Sequence, residues 1–166
     1  MKKSSIIIIV AIAIVAIWAI TGYNGLVSQD ETVANSWANV EAAYQRRADL
    51  IPQLVNTVKG YANHEKSTLD AVVSARTKAT QMTVSVDELS EENIQKFQEA
   101  QGEVGTAIGR LLAITESYPE LKANENFSEL QAQLEGTENR INEVRKKYND
   151  AVKTYNISVR RFPNNI

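Results

Sequence analysis

The sequence contains no cysteine, one histidine, seven glycines and three prolines in 166 residues. Without cysteine there is no disulfide, no CxxC redox centre, no thiolate nucleophile and no cysteine-ligated zinc. A metal centre would rest on His64 and carboxylates, short of the nitrogen and sulfur ligands that zinc and copper prefer. His64 is also the one imidazole available to a catalytic triad. Glycine and proline together make up about 6% of the chain against a usual ~12%, too few turn residues for a β-sandwich or barrel. The net charge of −2 lacks the basic excess of a nucleic-acid-binding domain. No glycine-rich phosphate loop, G-x-S-x-G elbow or dinucleotide fingerprint occurs. His64-Glu65 opens like an H-E-x-x-H zinc motif, but Thr68 stands where the second histidine belongs. These absences point to an all-α protein that is not an enzyme, needs no cofactor, and has no evident small-molecule substrate or nucleic-acid partner.

What is present begins with fifteen unbroken apolar residues from Ile6 to Ile20. Ile6, Ile7, Ile8, Ile9, Val10, Ile12, Ile14, Val15, Ile17, Trp18 and Ile20 dominate this run, which has no polar face. Extended through Gly22, Leu26 and Val27, it reaches ~33 Å as a helix, enough for a bilayer core. Residues 1–27 therefore read as an N-terminal transmembrane anchor that contacts lipid through residues 6–27. A cleaved signal peptide, releasing a soluble bundle, is the competing reading. It fits less well, because Ile17 and Ile20 occupy the −3 positions of the available cleavage sites. Lys2 and Lys3 precede the run, and the next basic residue is Arg46. That bias predicts a cytoplasmic N-terminus in the bacterial inner membrane and an extracytoplasmic domain over residues 28–166.

Helical periodicity fills that domain. Ser28 and Glu31 form a capping-box pattern, and apolar residues follow through Val33, Trp37, Val40, Tyr44, Ile51, Leu54, Val58 and Tyr61 to about Gln81. Pro52 predicts a kink or break near residues 49–52. Residues 82–86 read as a loop. A second helix starts near Asp87 and ends at Tyr118-Pro119; its Gly102, Gly105 and Gly109 suggest close approach of another backbone, the alternative being a soft point in the helix. The last helix runs from about Glu125 to Arg161, where Pro163 stops it. Its heptad seam of Phe127, Leu134, Ile141, Tyr148, Tyr155 and Phe162 should face other helices. The expectation is an antiparallel bundle of three to four long helices. The acidic start of the second helix (Asp87 to Glu103) and the basic end of the last (Arg145 to Arg161) would face each other in it.

Charged residues on or beside the apolar stripes are Arg47, Asp49, Glu65, Arg76, Glu116, Glu138 and Arg140. Buried charges need partners, so these read as interhelical ion pairs. The alternative is a helical-bundle hydrolase or ligand-binding protein with its site among them.

The stretch RRADLIPQLV from Arg46 to Val55, continuing through Lys59-Gly60-Tyr61 to His64-Glu65, resembles the LemA family of bacterial membrane-anchored helical proteins. ESYPELKANENF (Glu116 to Phe127), LEGTENRI (Leu134 to Ile141) and the Tyr148-Asn149 and Tyr155-Asn156 pairs before Arg160-Arg161-Phe162-Pro163 match as well. The resemblance covers nearly the whole chain after the anchor. It implies one transmembrane helix and an antiparallel bundle, and it supplies no catalytic residues. Pro52, Tyr118 and Pro119 lie where the matching blocks concentrate, which makes them candidates for a structural or partner-docking role. Together these features predict a membrane-anchored scaffold or interaction module that binds another protein of the cell envelope.

Overall fold

The computed structural model describes residues 3–85, 88–162, 164 and 165, with side chains from Ile6 onward. The expectations placed on Lys2, Asp87 and Pro163 lie outside the described residues. Five helices and no strand are found among those described: α1 (Lys3–Tyr61), α2 (Lys66–Gln81), α3 (Glu91–Thr115), α4 (Pro119–Lys122) and α5 (Glu125–Arg160). Three or four long helices were expected; the additional element, α4, is a single turn.

The chain divides into two compact units. One comprises residues 1–38 and 145–166, the other 39–144. Helices α1 and α5 contribute to both.

In the first unit, α1 carries the apolar run. The large side chains between Ile6 and Ile20 are 45–68% exposed, so no protein surface covers them. This is the one helix among the described residues long and apolar enough to cross a membrane. Ser28 does not start a new helix, contrary to the capping-box reading. A capping box matters only where upstream backbone N–H groups lack partners, and here the residues before Ser28 are already helical. Further along, Trp37 (α1) and Tyr148 (α5) are buried with ring centroids 5.1 Å apart. The heptad seam of α5 fades beyond this pair: Tyr155 is half-buried and Phe162 is exposed, not packed as expected.

In the second unit, one core joins Leu50, Ile51, Leu54 and Val58 of α1 with Leu69 and Val72 of α2, Val104, Ile108 and Leu111 of α3, Leu121 of α4, and Phe127, Leu130 and Leu134 of α5. Helix α1 passes through Pro52 without a break. It ends instead at Tyr61, just after Gly60. Asn63 and His64 form an exposed turn and Glu65 occupies the N-cap position of α2, so the stripe expected to continue from Leu54 to about Gln81 is divided there between two helices. Helix α3 starts at Glu91, where the Ser90 hydroxyl accepts from the Asn93 N–H at 3.1 Å. This cap satisfies an otherwise unpaired donor of the first turn. Pro119 occupies the first turn of α4, where a missing N–H is harmless. Asn124 Oδ1 then caps α5 by accepting from the Phe127 N–H at 3.0 Å.

The α3 glycines do not meet another backbone, contrary to the close-packing reading. A Cβ on Gly102 or Gly109 would meet nothing within 4 Å, and one on Gly105 would lie 3.7 Å from Arg47 Nη1, an ordinary contact. Both open positions therefore carry the glycine penalty with no packing return. Gly102→Ala and Gly109→Ala should each stabilise the protein by about 0.5–1 kcal/mol, additively, in urea unfolding followed by circular dichroism.

Candidate functional site

The functional candidates of the second unit centre on two successive arginines of α1 that diverge. Arg46 is exposed and Arg47 is buried. Of the charged residues flagged on the stripes, Arg47 alone is buried. Glu65, Arg76 and Glu138 are half-buried, and Asp49, Glu116 and Arg140 are exposed. The expected set of buried ion pairs thus reduces to one.

That pair is specific. Arg47 Nη1 donates to Glu138 Oε1 of α5 at 2.9 Å, and Nη2 donates to the Gln101 carbonyl at 2.7 Å and to Gln101 Oε1 at 2.8 Å. Its guanidinium carbon lies 5.0 Å from the Tyr44 ring centroid, and Tyr44 in turn meets Phe97 edge-on at 5.3 Å. Nε is buried without a partner among the described residues. One planar fork therefore ties α1 to α3 and α5, which a lysine's single ammonium could not reproduce. Gln101 was missed in the sequence, although a signal existed. It is a polar residue inside the apolar series Phe97, Ala100, Val104, Ala107 and Ile108.

Arg76 and Pro52, singled out separately in the sequence, belong to one arrangement. Proline at 52 has no N–H for the carbonyl of Ala48, four residues earlier. Arg76 Nε of α2 donates to that carbonyl at 2.8 Å. The arginine supplies the hydrogen bond that the proline removes. Arg76→Met should then destabilise the protein by about 1–3 kcal/mol in urea unfolding, because a largely buried carbonyl is left unpaired. Pro52→Ala restores a local donor, so Arg76→Met should lose most of its effect in that background. Equal effects in both backgrounds would exclude the compensation.

The ESYPELKANENF block zips the α3–α5 connection to the α1–α2 turn. Tyr118 donates from its hydroxyl to Glu65 Oε1 at 3.1 Å, and this bond, with desolvation adding to it, raises the Tyr118 pKa above the usual tyrosine range. Asn124 Nδ2 donates to the Tyr61 hydroxyl at 2.9 Å. Lys122 pairs with Glu116 at 2.6 Å across α4, while Leu121 is fully buried. Of the candidates in this region, Glu65 and Tyr118 are half-buried and bonded to each other, whereas Glu116 and Pro119 are exposed. At the acidic start of α3, Glu103 pairs with Lys78 of α2 at 2.8 Å and Glu92 with Lys96 of its own helix, which holds the Glu92 carboxyl below its ordinary pKa.

Between α1 and α5 lies an open surface cleft of about 760 Å³ lined by Asn39, Gln45, Arg46, Asp49, Gln133, Gly136, Thr137 and Arg140. Asp49 accepts from Gln45 Nε2 at 2.8 Å, and Arg140 pairs with Glu143 at 3.0 Å. Arg46 makes no ion pair among the described residues. A Cβ on Gly136 would meet nothing within 4 Å, which leaves the floor of the cleft open. The sequence reading named Asp49 and Arg140 but missed Asn39, Gln45, Arg46 and Gln133 as a surface. Their types are ordinary for a solvated helix face, and only the spacing of α1 and α5 brings them together. Among the described residues no cluster of three acidic or histidine side chains is placed to hold a metal.

Two magnetosome proteins of Paramagnetospirillum magneticum, MamQ 2 and MamQ 1, are each 28% identical over 85% of this chain and 58% of their own length. Protein LemA of Metamycoplasma hominis is 23% identical over 84% of this chain and 60% of its own. The chain thus spans less than two-thirds of the curated relatives it matches. The LemA family profile matches residues 36–166, which include the Arg47 node, the Pro52–Arg76 pairing and the cleft. The chain belongs to the LemA family.

Proposed function

We propose that the protein is a membrane-anchored, non-enzymatic helical module that holds another envelope protein in the cleft between α1 and α5. The carrying observation is the divergence of Arg46 and Arg47. One arginine is committed to the interior, and its neighbour presents an uncommitted cation in a cleft rich in amides. Arginine in a partly enclosed setting is a frequent interaction anchor, and a carboxylate on the partner is its natural complement. The anchor is α1 from Ile6, with the N-terminus cytoplasmic and the helical domain outside the bacterial inner membrane. Support for insertion comes from the exposure of the apolar run.

An antiparallel bundle agrees with the contacts inside the second unit. Arg47 meets Glu138, whereas Tyr61, further along α1, meets Asn124, further back in the chain. Arg76 meets Ala48 and Lys78 meets Glu103, so α2 packs on both α1 and α3.

Gly136 offers a test that leaves the interior untouched. Gly136→Phe fills the cleft, and Gly136→Ala does not. With the full-length protein purified from its native host after mild crosslinking, the partner should be retained by Gly136→Ala and lost by Gly136→Phe, at equal helicity. Retention by both variants would place the interaction elsewhere.

A further inference from the structure

The first unit brings the end of the described chain back to the apolar run. Trp37 and Tyr148 fix one level of this unit. From there α1 runs back to Gly22, and the chain runs forward through the end of α5 at Arg160 to Asn164, over nearly the same number of residues. At Gly22 an added Cβ would lie 3.3 Å from Asn164 Oδ1, close enough that the amide would have to move by a few tenths of an ångström. The turn is held locally: Asn164 Nδ2 donates to the Ser158 carbonyl at 3.1 Å, and the Asn165 N–H donates to the Arg161 carbonyl at 3.2 Å.

This placement puts Arg160 and Arg161, both exposed, and Phe162, 80% exposed, at the level where Tyr23, 69% exposed, follows the apolar run. Isolated in water, such a group has no evident use. At a bilayer surface each part has a partner: aromatic rings settle at the headgroup level, and arginines meet lipid phosphates. From Lys3 to Thr21 the helix measures about 28 Å, close to the ~30 Å hydrocarbon core, so the water boundary would fall at Gly22 and Tyr23.

We propose that Arg160, Arg161 and Phe162 form a second, reversible membrane contact that docks on anionic phospholipid headgroups beside the anchor. The proposal rests on the anchor reading, and the test separates the two. The chain lacks cysteine, so Asn165→Cys and Asn149→Cys each give a unique labelling site, the second near Tyr148 on the same helix. Full-length protein carrying a nitrobenzoxadiazole fluorophore at either site is reconstituted in nanodiscs of phosphatidylcholine, with or without one-quarter phosphatidylglycerol, and quenched with headgroup-spin-labelled lipid. The Asn165→Cys probe should be quenched severalfold more strongly than the Asn149→Cys probe, and more strongly with phosphatidylglycerol present. Arg160→Glu with Arg161→Glu should shift the docked-to-free ratio by roughly tenfold or more, and 0.5 M salt should act in the same direction. Equal quenching at both sites in discs that retain the protein overturns the docking while sparing the anchor. Strong quenching that ignores both phosphatidylglycerol and the charge reversals overturns the anionic contact. Protein eluting apart from the discs overturns both readings.

Discussion

Arg47→Ala is expected to lower the unfolding free energy of the second unit by about 3 kcal/mol, measured by urea titration followed by circular dichroism. The substitution removes a side chain that is 4% exposed, together with its bonds to Gln101 and Glu138. It leaves the Gln101 side chain and carbonyl without their donor and opens a void beside Tyr44. The abandoned Glu138 carboxylate is 45% exposed and can rehydrate, which keeps the loss at the lower end of the range for a broken buried pair. Glu138→Gln should therefore destabilise by clearly less than Arg47→Ala. Arg47→Met with Gln101→Leu replaces both polar partners by apolar groups of similar size and should recover part of the loss. A near-zero effect of Arg47→Ala would mean that the node does not join the helices.

Trp37→Ala should produce a loss of similar or greater size in the first unit, about 3–5 kcal/mol. Trp37 is 2% exposed and packs on Tyr148, so truncation leaves a large void between α1 and α5. The change also has a spectroscopic signature. Burial raises the Tyr148 pKa above the ordinary tyrosine value, so folding favours the protonated phenol. This contribution to stability is fully present below the ordinary tyrosine pKa of ~10 and is lost as pH rises through the raised value. Exposure of Tyr148 in Trp37→Ala should move its ionisation, followed at 295 nm, back toward the ordinary range. Trp37→Phe should keep most of the packing and most of the shift.

The sequence was readable where structure depends on local chemistry. The apolar run, the stop at Tyr118-Pro119 and the start of α5 near Glu125 each follow from residues adjacent in the chain. The break allowed for at Pro52 does not occur, and the group that meets the freed carbonyl, Arg76, comes from a different helix. The Ser28 capping box was overruled because a helix already preceded it. Among seven charged residues on the stripes, nothing local distinguishes Arg47. It is buried because Gln101 and Glu138 both converge on it from distant segments, whereas Glu65, Arg76 and Glu138 each meet a single distant group and stay half-buried. The α3 glycines gave a signal for close packing that the geometry does not use. The cleft was invisible for the same reason as the node, since its lining is assembled from two segments nearly a hundred residues apart in the chain.

Photocrosslinking in the native host decides whether the α1–α5 cleft holds a protein partner. A photoreactive amino acid is placed at Asn39 or Gln133 in the cleft, and at Ser67 or Thr106 on the separate α2–α3 surface. One discrete adduct is expected from the two cleft positions, absent from the other two and abolished by Gly136→Phe. Adducts of equal strength from all four positions, or none from the cleft, would contradict a partner held there.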